Sequence, residues 1–169
     1  VHWLENWQSG RDEMQIHGKA VCLGEDIDTD MIIAGRYLRT KDRSLWSTHV
    51  FEDLDPALAG RLEGSVIVAG KNFGCGSSRE QAPVALKEAG VLAVIAPTFA
   101  RIFFRNSINV GLPVIESACE CVEGDDVMVD LDGGEVQAGG RSYPIRPLSP
   151  RMLEILHAGG LVAYWRDKR

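Results

Sequence analysis

Apolar and polar positions along the chain fall into short blocks of two different periods, and the blocks alternate. Ser65 to Ala69 (SVIVA) and Val91 to Ala96 (VLAVIA) are short, continuous and rich in β-branched residues. That is the pattern of strands buried on both faces of a parallel sheet. Leu112 to Ile115 predicts another strand, and Gly18 to Leu23 an earlier one. One helix is expected from about Ser78 or Ala82 to Ala89, and a second from Pro97-Thr98 to about Asn109. Strand, helix, strand, helix, strand requires parallel pairing through crossover helices.

Past Ser117 the period changes. Asp126 to Leu131 (DVMVDL) alternates, Gly133-Gly134 supplies a two-residue turn, and Glu135 to Ala138 returns, which predicts a hairpin. Arg151 to His157 predicts a short helix ended by Gly159-Gly160. Ser44 to Leu62 is polar and mixed, with Pro56 placed to open a short helix. Val1 to Gln15 shows no clear period around Trp3 and Trp7. The expected fold class is α/β, a parallel sheet core with helices and a β-hairpin margin. It forms one domain over residues 16–169, after an N-terminal extension over residues 1–15.

Composition narrows the function classes. With 45% apolar and 25% charged residues the chain can build an ordinary core. Eighteen basic against twenty-four acidic residues leave a net charge of −6, which disfavours nucleic acid or an anionic membrane as partner. The longest uncharged apolar run, Ala89 to Ala100, is twelve residues and contains Pro97, where a membrane-spanning helix needs about twenty. Glu5 stands where a secretory signal would be apolar. The four cysteines, Cys22, Cys75, Cys119 and Cys121, are scattered without a CxxC. Cys119 and Cys121 are a weak metal hint, outweighed by the reading as reduced thiols. A reducing, cytoplasmic setting and no metal site within this chain are expected.

Charge is distributed unevenly. Arg36, Arg39, Lys41 and Arg43 stand against Asp42 alone, a second basic group holds Arg79, Arg101 and Arg105, and Glu120 to Glu135 is purely acidic. Basic islands in an acidic protein suit either a small anion or a solvated face.

The chemistry concentrates in Lys71 to Glu80, KNFGCGSSRE, between a buried strand and a helix. Strand ends that feed glycine-rich turns are where α/β sheets place ligands. Gly74 and Gly76 permit close backbone approach, first-turn amides favour an anion, and Arg79 adds a planar fork suited to a carboxylate. Ser77 with Glu80 three residues on also reads as a capping box, and Pro83 would fall inside such a helix. Both readings stand at this point. A dinucleotide fingerprint, a Walker loop and a serine-hydrolase elbow all fail on spacing.

NFGCGSSREQAP, followed by AVIAPTFARIFFRNSINVGLP and preceded by GEDIDTDMIIAGRYLRT, resembles the small-subunit family of 3-isopropylmalate dehydratase and homoaconitase, related to the swivelling domain of aconitase. The resemblance spans roughly Gly18 to Tyr164. It implies a swivelling β/β/α domain of the aconitase type and a hydro-lyase that isomerises a hydroxy di- or tricarboxylic acid by dehydration and rehydration. It also implies no cofactor in this chain, with a [4Fe–4S] cluster on a separate large subunit as partner.

By the resemblance, Ser77 is the base that removes a proton α to a carboxylate. Arg79 grips a carboxylate, Ser78 and Gly76 add donors to that grip, and Asp30 reaches the site from the first block. Cys75 replaces an acidic residue of aconitases, as in isopropylmalate-type subunits. The loop Tyr37-Leu38-Arg39-Thr40 reads the variable substituent of the substrate. Arg39 suits a carboxylate, as in homoaconitate, more than an isopropyl group. Isopropylmalate comes first on family frequency, with homoaconitate as competitor. A stand-alone carboxylate-binding regulatory domain is the non-enzyme alternative.

Overall fold

The structure, a computed structural model, describes residues 14–169. The expected extension over residues 1–15 lies outside them except at its end, where Met14 is 1% exposed and Gln15 opens the first strand.

The elements run β1 (Gln15–Cys22), α1 (Thr29–Ile32), α2 (Arg43–Thr48), β2 (Ser65–Val68), α3 (Gln81–Glu88), β3 (Ala93–Ala96) and α4 (Arg101–Val110). They continue with β4 (Val114–Glu116), β5 (Asp126–Asp130), β6 (Glu135–Ala138), β7 (Arg141–Pro144), α5 (Pro150–Ala158) and α6 (Leu161–Arg166). All seven strands form one sheet in the order β4-β3-β2-β1-β5-β6-β7. The half from β4 to β1 is parallel, with Val21 opposite Ile67, Ile67 opposite Val94 and Ile95 opposite Ile115. From β1 outward through β5, β6 and β7 every pairing is antiparallel.

The two halves differ because their sequences do. Every residue of β2 and β3 is buried, as continuous apolar strands beneath helices must be. In β5 only Val127 and Val129 are buried, so one face meets the core and the other is more open. Among the helices, α2 lies against α3, α3 against α4, and α4 against α5 and α6. Their apolar sides, including Leu86, Phe103, Ile108, Leu156 and Tyr164, join one core with the strands.

Several expectations change. Pro56 opens a turn and not a helix: the Asp55 carboxylate takes the Ala57 amide at 2.9 Å, and only a 3₁₀ turn at Ala59–Arg61 follows. The helix of that region is α2, whose first turn is capped by Asp42 accepting from the Ser44 amide at 3.0 Å. Gly139-Gly140 joins β6 to a further strand, β7, and Gly159 ends α5 as expected, but Gly160 also leads into a further helix, α6.

The helix after the glycine loop starts at Gln81, the later of the two expected positions. Pro83 then occupies the third helical position, where an amide hydrogen would have no intrahelical acceptor. Glu80 precedes the helix without a side-chain cap bond, so the capping box is not formed.

Candidate active site

The parallel strands β1, β2 and β3 all point the same way, and the loops leaving their C-terminal ends are stitched together. Gly70 N–H donates to Gly24 O at 3.0 Å, Gly74 N–H to Ile27 O at 2.7 Å and Thr29 N–H to Cys75 O at 2.9 Å. On the other side Phe73 N–H donates to Thr98 O at 3.1 Å, and Ala100 N–H to Phe73 O at 2.9 Å. The backbone pairing of the sheet is thereby carried past the strand ends, with bridges at Asp28–Cys75 and Phe73–Phe99.

Beneath the loop lies an aromatic floor. Phe73 is fully buried and meets Phe99 and Phe103 edge to face, with ring centroids 6.0 and 5.4 Å apart. Gly74 rests on that floor at φ +81°, where a Cβ would run into the Phe103 ring. Gly76 has φ +88°, but a Cβ there would only touch Asp28 at 3.4 Å. Gly74 is thus required by both space and conformation, and Gly76 by conformation alone.

A cleft of about 300 Å³ opens above this floor, and Gly76, Ser77, Ser78 and Arg79 line it together. Ser77 and Ser78 are exposed. The Ser77 backbone is held from below: buried Thr29, 2% exposed, donates its hydroxyl to Ser77 O at 2.8 Å. Among the described residues no acceptor takes the amides of Ser77, Ser78, Arg79 or Glu80. Outward-facing amides beside a guanidinium are the donor set for an anion.

Asp30 joins the group through Arg79. Their Oδ1 and Nη1 atoms are 2.5 Å apart, with the Arg79 side chain 23% and the Asp30 side chain 62% exposed. Ile33 O accepts from the same guanidinium at 3.5 Å.

Arg39 and Thr40 are not brought into this cleft. Arg39 is exposed, and the Thr40 hydroxyl accepts from the Asp42 amide at 3.1 Å. The base of their loop is firmly held. Tyr37 stacks on His49 at 4.1 Å, its hydroxyl bonds Glu52, and Trp46 Nε1 donates to Tyr37 O at 3.0 Å. Arg36 pairs with Asp53 at 2.7 Å and Glu52 at 3.0 Å. Three further polar or charged cleft residues were not singled out for the site from sequence: Thr29, Arg101 and Asn106. Thr29 adjoins Asp30 and Arg101 belongs to the second basic group, whereas Asn106 carries no signal of its own.

The thiols do not line the cleft. Among the described residues no group of three His, Cys, Asp or Glu side chains could hold a metal ion. Cys22 Sγ lies 3.8 Å from Cys121 Sγ. Burial, with Cys121 alongside, pushes the Cys22 thiol up to about 12, and burial pushes Cys119 up to about 11. Cys75 is raised by burial and by Asp28 and Asp26.

Comparison with known proteins returns one family and a consistent set of relatives. The Aconitase C-terminal domain family matches residues 24–118. The chain is 54% identical to the 3-isopropylmalate dehydratase small subunit of Moorella thermoacetica, over 89% of this chain and 95% of that protein. It is 51% identical to the methanogen homoaconitase small subunit of Methanothermobacter thermautotrophicus, over 89% and 90% of the two chains. Among solved structures, 3-isopropylmalate dehydratase from Methanocaldococcus jannaschii superposes with a TM-score of 0.86 at 45% identity, covering 92% of this chain and 95% of that one.

Proposed function

We propose, on the premise that this chain belongs to the aconitase C-terminal domain family and within it to the 3-isopropylmalate dehydratase small subunits, that it works as such a subunit. Joined to a large subunit carrying a [4Fe–4S] cluster, it interconverts 2-isopropylmalate and 3-isopropylmalate in the cytoplasm, on the route to leucine. No helix among the described residues is long and apolar enough to cross a membrane.

One observation carries the assignment of the chemistry. Ser77 stands exposed at the rim of the cleft, next to backbone amides with no acceptor among the described residues and next to Arg79. A serine hydroxyl is a very weak acid, and nearby donors and a cation stabilise its oxyanion. Ser77 Oγ then takes the proton from the carbon α to a carboxylate. The C–H electron pair becomes a carbon–carbon double bond as the neighbouring hydroxyl leaves; a general acid on the large-subunit side of the site would give it the proton with which it departs as water, and the reverse steps add water back in the other orientation. Arg79 holds a carboxylate during the exchange, Ser78 and Gly76 add donors, and Asp30 keeps the guanidinium aimed.

The test is reconstitution with a large subunit under anaerobic conditions. Ser77→Ala lowers kcat by about 10²–10⁴-fold while the complex still elutes as one species in gel filtration. Near-normal kcat would remove Ser77 from its role. A purified chain that binds a dicarboxylate tightly without any partner would favour the stand-alone regulatory domain.

Homoaconitate is the second reading, supported by Arg39 within YLRT and by the likeness to the methanogen homoaconitase small subunit. Under it Arg39→Val shifts preference toward isopropylmalate when both substrates are assayed. An unchanged preference rules the loop out as the selector.

A further inference from the structure

We propose that Arg101 is a second carboxylate-binding residue of this site, and the inference rests on the dehydratase reading above. The argument begins with charge. Both isopropylmalates carry two carboxylates, and homoaconitate carries three. Arg79 brings one positive charge to the cleft, but Asp30 lies 2.5 Å from it, so the pair contributes no net charge to a bound dianion. Arg101 lines the same cleft, is exposed, and has no acidic partner among the described residues. It is the cation there that remains uncommitted.

Its position is also well fixed. Arg101 is the first residue of α4, and Ala100 just before it is tied to Phe73, the residue preceding Gly74 of the serine loop. Two residues further, Phe103 is 3% exposed and packs beneath Gly74. The backbone that presents Arg101 and the backbone that presents Ser77 therefore share one aromatic floor. Arg101 lines both this cleft and a neighbouring hollow, where the carboxylate present, Glu116, is already paired with Arg146 at 3.1 Å. Sharing that lining with Ser77, the Arg101 guanidinium is in place to offer a bound carboxylate a planar two-point contact.

The wild-type chain and Arg101→Gln are compared in reconstituted complexes, at large-subunit concentrations where assembly is complete. Arg101→Gln raises KM about tenfold or more, the scale of one lost charge-assisted contact, with kcat changed much less and subunit affinity unchanged. Arg101→Lys recovers part of the KM. A KM within twofold of wild type overturns the assignment, and a variant that loosens only subunit assembly makes Arg101 an interface residue instead. A wild-type complex that turns over neither isopropylmalate nor homoaconitate overturns the parent reading and this one with it. That result is distinct from an active complex indifferent to Arg101.

Discussion

Arg79 and Asp30 meet at 2.5 Å beside the cleft, so the guanidinium proposed above to receive a substrate carboxylate is already paired with a carboxylate of the same chain. Such pairing matters for rate more than for stability, because small misplacements of a positioning group cost heavily in the transition state. Asp30→Asn lowers kcat about tenfold in the reconstituted enzyme. The urea midpoint of the full chain barely moves, since a pair with one side chain 62% exposed contributes only about 0–1 kcal/mol.

The two loop glycines separate space from conformation. Gly74→Ala brings a methyl group into the Phe103 ring at a positive φ, and its cost is about 3 kcal/mol in urea unfolding. Gly76→Ala meets only ordinary contact, and its cost is about 1 kcal/mol. Equal costs would show that the ring beneath Gly74 moves aside.

Thr29 steadies the serine from behind. Thr29→Val keeps the shape and removes the 2.8 Å bond to Ser77 O, with an expected loss of about 1 kcal/mol in stability and a fall of several-fold in kcat. Thr29→Ser restores both. Loss of stability without loss of kcat would make the hydroxyl purely structural.

The thiols give a pH signature. Cys22 is raised from 9.0 to about 12 and Cys119 to about 11, mainly by burial, so both stay protonated in the folded chain when an unfolded cysteine ionises. Alkylation of these two at pH 8.5 is far slower than that of a free thiol, because the thiolate is the nucleophile. The same shift bears on stability. The unfolded state loses its protons first, so the thiols' contribution is full below pH 9 and drains away as pH rises toward 12. Urea unfolding across that range isolates it as the difference between the wild-type chain and a Cys22→Ala, Cys119→Ala variant, since lysines and tyrosines titrate equally in both.

Strands buried on both faces and the β5–β6 hairpin were readable because their patterns are local: a continuous apolar block for β2 and β3, strict alternation for β5. β7 and α6 were not, since Gly139-Gly140 and Gly159-Gly160 look the same whether they end an element or join two. Gly76, Ser77, Ser78 and Arg79 were readable as a site because they are contiguous, and the fold sets them in one cleft. Asp30 was reached through resemblance, and the fold ties it to Arg79. Thr29 and Arg101 were not readable as cleft residues because their placement is tertiary: Thr29 bonds a carbonyl 48 residues along the chain, and Arg101 reaches the cleft from the start of α4. Arg39 and Thr40 stand on an anchored loop and do not line the cleft, and nothing local in YLRT reports that.

Pro83 has a further effect through where it stands in α3. Its ring disfavours backward growth of the helix, because a helix begun at or before Arg79 would set the Arg79 carbonyl against a nitrogen that carries no hydrogen. The serine-bearing stretch and the rod behind it are thereby uncoupled: side chains upstream can be exchanged while the rod stays as it is.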